Sequence, residues 1–377
     1  MVRCHFTIWL GWVVRRSVLV ALAVLFAGFL GACSTGAYFW QATTGHLKVL
    51  ASAKPIDAVL ATPDTPAKLR TQLKYVQQIR AFSVTRLGLP DNRSYRSYAD
   101  LNRPYVVWNV VAAQPDSLTL NTWCFPFTGC ISYKGFYKEE DAVKLGNSLR
   151  SEGLDVAVLG VPAYSTLGFT PDPVLSTFVY FPAGELARLI FHELAHQVIY
   201  IADDTMFNES FATAVEELGV NEWLNQEGNA PLRAPYEVFD GRRAAFRLML
   251  ARAQDDLRAI YSDPALVESG TVLQAKAERL ALLRTEYSGL KASWGGWAGY
   301  DRFMADDLNN AKLGVSGLYT RHVPAFKALF VHCESNFPDF YKAVDALGAK
   351  PAAERDGLLQ AIRSGDFSQI DLGCSGF

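Results

Sequence analysis

The sequence predicts an α+β fold: a small, antiparallel sheet, then a helix over about residues 185–200, then helices to the C-terminus. Three observations carry this expectation. Segments rich in β-branched and aromatic residues cluster between residues 105 and 166, as strands do. "ELARLIFHELAHQVIY" contains neither Gly nor Pro and places Leu186, Ile190, Leu194 and Val198 on one face. Beyond residue 206, apolar residues recur at three- and four-residue spacing. The 377 residues are 50% hydrophobic and 20% charged, an ordinary globular composition with length for a large core. Net charge is −2 and no basic block stands out, which argues against nucleic acid as a partner.

The N-terminus is read first. Arg15 and Arg16 precede an apolar run, Val18 to Leu30, of signal-peptide length and short for a bilayer span. It ends in "LGAC", which resembles a bacterial lipobox whose cysteine, here Cys33, is lipidated and becomes the mature N-terminus. Ser34 after that cysteine, by resemblance to known lipoproteins, implies a lipid anchor in the outer membrane, facing the periplasm. The first dozen residues, with Cys4, His5 and Trp9, fit an n-region poorly and point to a translation start near Val13 or Val14. Expected boundaries are 1–33 for the signal peptide, 34–104 for an N-terminal helical region, 105–230 for the α+β core and 231–377 for a helical C-terminal region. Residues 34–377 are expected to form one compact unit.

Residues 36–88 look helical, with Leu69, Leu73, Val76, Ile79 and Phe82 on one face. The turn-rich "GLPDNRSY" leads into "YVVWNVVAA", a strand, and "SLTLNTWCF" and "CISYKGFY" read as a strand pair. Residues 138–152 are helical by pattern, and "LDVAVLGVPAYST" returns to strand. In the C-terminal part Phe246, Leu250, Ala253, Leu257 and Ile260 make one stripe. Leu273, Ala277, Leu280 and Tyr287 make another after a break at Asp263-Pro264, which predicts two long antiparallel helices. Four cysteines remain: Cys124, Cys130, Cys333 and Cys374. Outside the cytoplasm they read as two disulfides with three pairings open. The turn-like "FPFTG" between the first two favours Cys124–Cys130, leaving Cys333–Cys374. A four-cysteine zinc site has no C-x-x-C spacing to support it.

"FHELAHQ", residues 191–197, carries the chemistry. Residues i and i+4 lie on one helix face, so His192 and His196 project side by side, with Glu193 next to them, near enough to handle a water. Two imidazoles, an oxygen ligand and an open position suit Zn²⁺. "FNESFATAVEELG" supplies a third ligand in Glu209, near the start of a second helix. If the first helix runs to about Tyr200, the chain must return roughly 6 Å. Residues 201–207 span up to about 23 Å when extended, so closure is easy. Glu216 or Glu217 could orient an imidazole. A further donor for a developing oxyanion would come from "NNAKLGVSGLYTRHVPAF", which offers Asn309, Asn310, Tyr319 and His322, with Tyr319 favoured. "AYSTLGFTPDPVLST", with Gly168 and its prolines, suits an edge or loop that could line a substrate groove.

"HELAH" followed by "NESFATAVEE" resembles the gluzincin metallopeptidases, whose third zinc ligand is a glutamate on the helix after the motif. Asn208, Glu209, Phe211 and Ala212 match the Asn-Glu-x-Phe-Ala of aminopeptidase N-like enzymes. From the lipobox through "PYVVWNVVAA", "AYSTLGF", "FHELAHQ" and "NNAKL", the chain resembles a family of bacterial lipoproteins described as putative aminopeptidases. The resemblance implies a zincin-like core and one Zn²⁺ per chain held by His192, His196 and Glu209. It also implies Glu193 as general base and a peptide as substrate. The Gly-x-Met-Glu-Asn motif that binds the substrate amino terminus in aminopeptidase N is absent, so exopeptidase and endopeptidase both remain open. Two other readings are a non-enzymatic lipoprotein chaperone or assembly factor, and a zinc hydrolase acting on peptidoglycan cross-links. An intact Glu193 speaks against a merely structural metal, and no wall-binding module is recognisable.

Overall fold

The computed structural model describes residues 36–125, 129–305, 307–318, 321–368 and 374. Contact density divides the chain into two units, residues 1–51 and Ser52–Phe377. In the first, the described residues 36–51 are helical (α1), with Trp40 and Leu47 exposed. Cys33 lies outside the described residues. No helix among the described residues is long and apolar enough to cross a membrane.

The second unit is α+β, with small sheets and a helical C-terminal part, as the sequence predicts. The segment before residue 88 is less continuous than its periodicity suggests. Pro55 and the Thr62–Pro66 stretch break it into strand β1 (Lys54–Pro55) and helices α2 (Ile56–Ala61) and α3 (Ala67–Thr85). The cause is local: proline removes a donor and pushes the preceding residue out of the helical region. On α3 the predicted stripe Leu69, Leu73, Val76, Ile79 and Phe82 is buried throughout. Strands β2 (Ser97–Ala99) and β8 (Val174–Leu175) join β1 in a sheet of order β1-β2-β8.

The main sheet has order β6-β3-β7 and is antiparallel throughout. Central β3 (Val107–Ala113) pairs along its whole length with β7 (Asp155–Val161), from Val107 opposite Val161 to Ala113 opposite Asp155. Alternation divides the faces. Val156 and Val158 lie under Gly146 of helix α4 (Glu139–Ser151), while Val111 and Ala157 pack with Ala311 of helix α10 (Asn310–Leu318). "CISYKGFY" does not stay one strand. Its first part, β5 (Gly129–Ile131), pairs with β4 (Trp123–Phe125), and its second, β6 (Lys134–Phe136), pairs with β3. Disulfides join Cys124 to Cys130 and Cys333 to Cys374.

Helices α5 (Ala183–Ala195) and α6 (Thr205–Leu224) form the centre of the unit. Their close approach depends on Gly219. A Cβ there would lie 2.7 Å from Leu87 Cδ1 and 3.0 Å from Phe191 Cδ2. C-terminal to them run α7 (Ala230–Ser262), α8 (Pro264–Ser269) and α9 (Val272–Ser293), then α10, α11 (Val323–His332), α12 (Phe337–Gly348) and α13 (Ala352–Arg363). Asp263 caps α8 by accepting from the Ala265 N–H, which accounts for the Asp-Pro break. Helices α7 and α9 bury Phe246, Leu250, Ala253 and Leu257 against Leu280, Leu283 and Tyr287. The N-terminal half of the α9 stripe is a correction: Leu273 and Ala277 are exposed, whereas Lys276 and Arg279 are buried. Lys276 Nζ donates to Asp155 (2.5 Å) and to the Pro115 carbonyl, and Arg279 Nε donates to Asp256 (2.8 Å). Both acids lie outside α9, so hydropathy along α9 alone gives the wrong face.

Candidate metal centre

The centre forms where α5 ends and α6 begins. Helix α5 ends at Ala195, with His196 as its C-cap, rather than running on to Tyr200. Backbone turns follow, and side chains from elsewhere hold the connection. Gln197 accepts from Asn92 Nδ2 at 2.7 Å and donates to Ser94 Oγ at 3.3 Å. Asn208 accepts from the Ile201 N–H (2.8 Å) and donates to the Ile201 carbonyl (2.7 Å), pairing with that loop residue as a strand would. Asp204 caps α6 by accepting from the Phe207 N–H at 2.9 Å, and Arg355 holds Asp204 at 2.6 Å. The β4–β5 hairpin braces the same connection, with the Cys130 N–H donating to Asp203 Oδ1 at 2.6 Å.

These supports bring His192, His196 and Glu209 together. His192 Nε2 lies 3.2 Å from Glu209 Oε2 and 3.2 Å from His196 Nε2, and His196 Nε2 lies 3.7 Å from Glu209 Oε2. The two imidazole planes stand at 85°. Tetrahedral zinc with bonds of about 2.0–2.1 Å separates its ligands by about 3.3 Å. The triangle therefore fits one small divalent cation, and the donor set of two nitrogens and one carboxylate suits zinc.

Glu209 and Glu216 are both held as carboxylates. Burial would raise Glu209, but hydrogen bonds to His192 and His196 and their charges hold it at about 2. Burial likewise opposes the charge on Glu216, and Arg188 and His192 hold it at about 2. For His192, burial disfavours the charged form, yet hydrogen bonds to Glu209 and Glu216 keep it well above the ordinary imidazole value. Of the two glutamates the sequence leaves open, Glu216 faces the site: its Oε2 is 3.1 Å from His192 Nδ1. Glu217 pairs instead with Lys327 (2.5 Å) and Arg247 (3.0 Å), and lies 3.9 Å from Arg188 Nη2.

Glu193 shares the pocket. Burial raises its pKa, partly offset by the two imidazoles. Tyr95 and Asp172 are near enough to feel the Glu193 charge. Asp172 is only 2% exposed and accepts from the Thr166 N–H (3.0 Å) and hydroxyl (2.8 Å). Burial pushes its carboxyl up to about 6. Tyr95 is equally buried and has a φ of 61°, unusual for a bulky side chain.

Tyr319 lies outside the described residues. Leu318, which precedes it, and His322, three residues after it, are both tied to Ser210, which follows Glu209: the Ser210 hydroxyl donates to the Leu318 carbonyl and accepts from the His322 N–H. Asn309 and Asn310 are instead structural. Asn309 donates to the Val156 carbonyl, and Asn310 binds Tyr261 and the Gln114 and Pro115 carbonyls. The sequence reading missed Arg188. Its signal was a cation one turn before His192 in an otherwise apolar stretch, where i and i+4 share a face.

Fold and site together define an α+β protein with a buried His–His–Glu triad able to hold a metal ion, next to a further glutamate. The chain belongs to the family described as "Putative aminopeptidase", whose model matches residues 37–359. No curated protein and no solved structure matches it.

Proposed function

We propose that this protein is a zinc-dependent peptidase with a zincin-like core of the gluzincin type, acting at His192, His196, Glu193 and Glu209. The observation that carries the reading is the donor triangle of 3.2, 3.2 and 3.7 Å, beside a glutamate that is not part of it. Zinc, when bound, would make water acidic enough to ionise near neutral pH and would polarise a scissile carbonyl. Glu193 takes the proton from the attacking water and passes it to the leaving amine. Its raised pKa suits the first half of that task, because a more basic carboxylate takes the proton from water more readily. Tyr319 is the proposed donor to the oxyanion. Lipidation at Cys33 would hold the enzyme on the outer membrane, facing the periplasm.

The deciding experiment is metal analysis of purified residues 34–377, followed by digestion of free and N-acetylated peptide mixtures. One zinc per chain and chelator-sensitive cleavage are expected. Protein that takes up no zinc, or cleaves equally well after its removal, would overturn the proposal. Cleavage restricted to free amino termini would make it an aminopeptidase in fact as well as by family.

A further inference from the structure

Arg188 is buried, with a side chain only 4% exposed, and it stands one helical turn before His192 on α5. Its guanidinium joins α5 to two other helices. Nη2 pairs with Glu216 on α6, and Nη1 pairs with Asp240 on α7 at 3.0 Å and lies 3.4 Å from the Tyr236 hydroxyl. Glu216 in turn presents its other oxygen to His192 Nδ1 at 3.1 Å. Glu216 is seven residues, about two turns, after Glu209, so both carboxylates face back toward α5 from one side of α6. A carboxylate at this depth keeps its charge only with a cation beside it. The guanidinium is a rigid planar fork, so its two engaged nitrogens fix an orientation as well as a charge.

We propose that Arg188 is a positioning residue of the metal centre, acting through Glu216 to set the tautomer and ring orientation of His192. With a metal bound, Glu216, 3.1 Å from Nδ1, would keep the remaining proton on that nitrogen and leave the Nε2 lone pair facing Glu209 and His196. The inference rests on the metal-binding reading above. The competing account is that Arg188 only stabilises the fold, as Arg243 does. Arg243 binds Glu185 through two nitrogens at 2.7 and 2.8 Å, shares Asp240 with Arg188 at 3.2 Å, and reaches neither Glu216 nor a member of the triad.

A double-substitution cycle separates the two accounts. Zinc dissociation constants are measured by chelator competition on folded wild type, Arg188→Met, Glu216→Gln, the double variant, Arg188→Lys and Arg243→Met. Arg188→Met and Glu216→Gln should each weaken zinc binding about 10- to 100-fold, the usual cost of losing a group that orients a ligand. The double variant should bind no more weakly than the weaker single, because both changes interrupt one path. Arg188→Lys keeps the charge without the fork and should fall between wild type and Arg188→Met. Arg243→Met should melt earlier and bind zinc as wild type does. Should Arg188→Met fail to fold, Arg188→Lys and the double variant, which removes the carboxylate left without its cation, carry the comparison. Unchanged affinity on losing Arg188 overturns the inference, as do multiplicative losses in the double variant or an equal loss in Arg243→Met. Wild type that binds no zinc overturns the metal reading itself, a distinct result.

Discussion

Replacing Glu193 by Gln preserves shape and hydrogen-bonding capacity while removing the ability to take a proton. General-base catalysis contributes about 10²- to 10⁴-fold. The structure argues for the upper part of that range, because no neighbour among the described residues is placed to substitute. Asp172, the nearby carboxylate outside the triad's own network, is 2% exposed and already accepts two hydrogen bonds from Thr166. Glu209 and Glu216 are committed to the histidines. A loss of about 10³- to 10⁴-fold is therefore expected, or about 4–5.5 kcal/mol of barrier. Folding should not suffer. Burial raises the Glu193 pKa, so the charged form costs stability near neutral pH, and neutral Gln removes that cost. The assay compares peptide cleavage, zinc content and metal-free melting temperature for Glu193→Gln and wild type. Near-wild-type cleavage by a zinc-loaded variant would refute the general-base assignment. A variant that melts well below wild type would refute the account of the pocket's electrostatics.

Glu209→Ala should lose most of its zinc on dialysis, because two imidazoles alone make a weak, open site, and metal analysis checks it. In metal-free protein, the low pKa values of Glu209 and Glu216, about 2 against 4.5, contribute stability that is present above about pH 4.5 and lost as pH falls toward 2. His192, raised in the fold, is charged throughout that window and so leaves the sign to the carboxylates. Glu216→Gln should flatten the fall in urea midpoint between pH 5 and pH 3, and an unchanged slope would count against the buried pair. Phe340→Ala removes a fully buried ring packed against Phe211, Phe330 and Tyr341, and should cost about 3–5 kcal/mol by denaturant unfolding. Cys33→Ser should abolish labelling by a lipid precursor in cells; labelling that persists would remove the lipid anchor from the proposal.

The parts of the molecule that were legible in the sequence are those whose cause is local. The motif helix shows its apolar face at 3.6-residue period, and Glu209 follows from the short return that the chain must make. What escaped was set by side chains far away in sequence. Helix α5 gives way to turns after Ala195, where Asn92 and Ser94 hold the Gln197 side chain, although local propensity alone would carry it on. Lys276 and Arg279 enter the interior of α9 because Asp155 and Asp256 meet them there. Strands β1 and β8 are two residues long, too short for any alternation to register. The choice between Glu216 and Glu217 depends on the rotation of α6 against α5, which spacing from Glu209 hints at and packing decides.

The pairing of Asn208 with Ile201 has a consequence for how the protein takes up its ion. The connection from His196 to Glu209 is already closed by protein contacts: Asn208 on Ile201, Asp204 on the Phe207 N–H, and Arg355 on Asp204. Little chain ordering is left to occur when a cation arrives, unlike small zinc domains in which binding and folding are one event. Loading should thus resemble a ligand entering a rigid receptor, fast and without a large change in far-ultraviolet circular dichroism. A cell could then fold the chain without metal and charge it afterwards, wherever the ion becomes accessible.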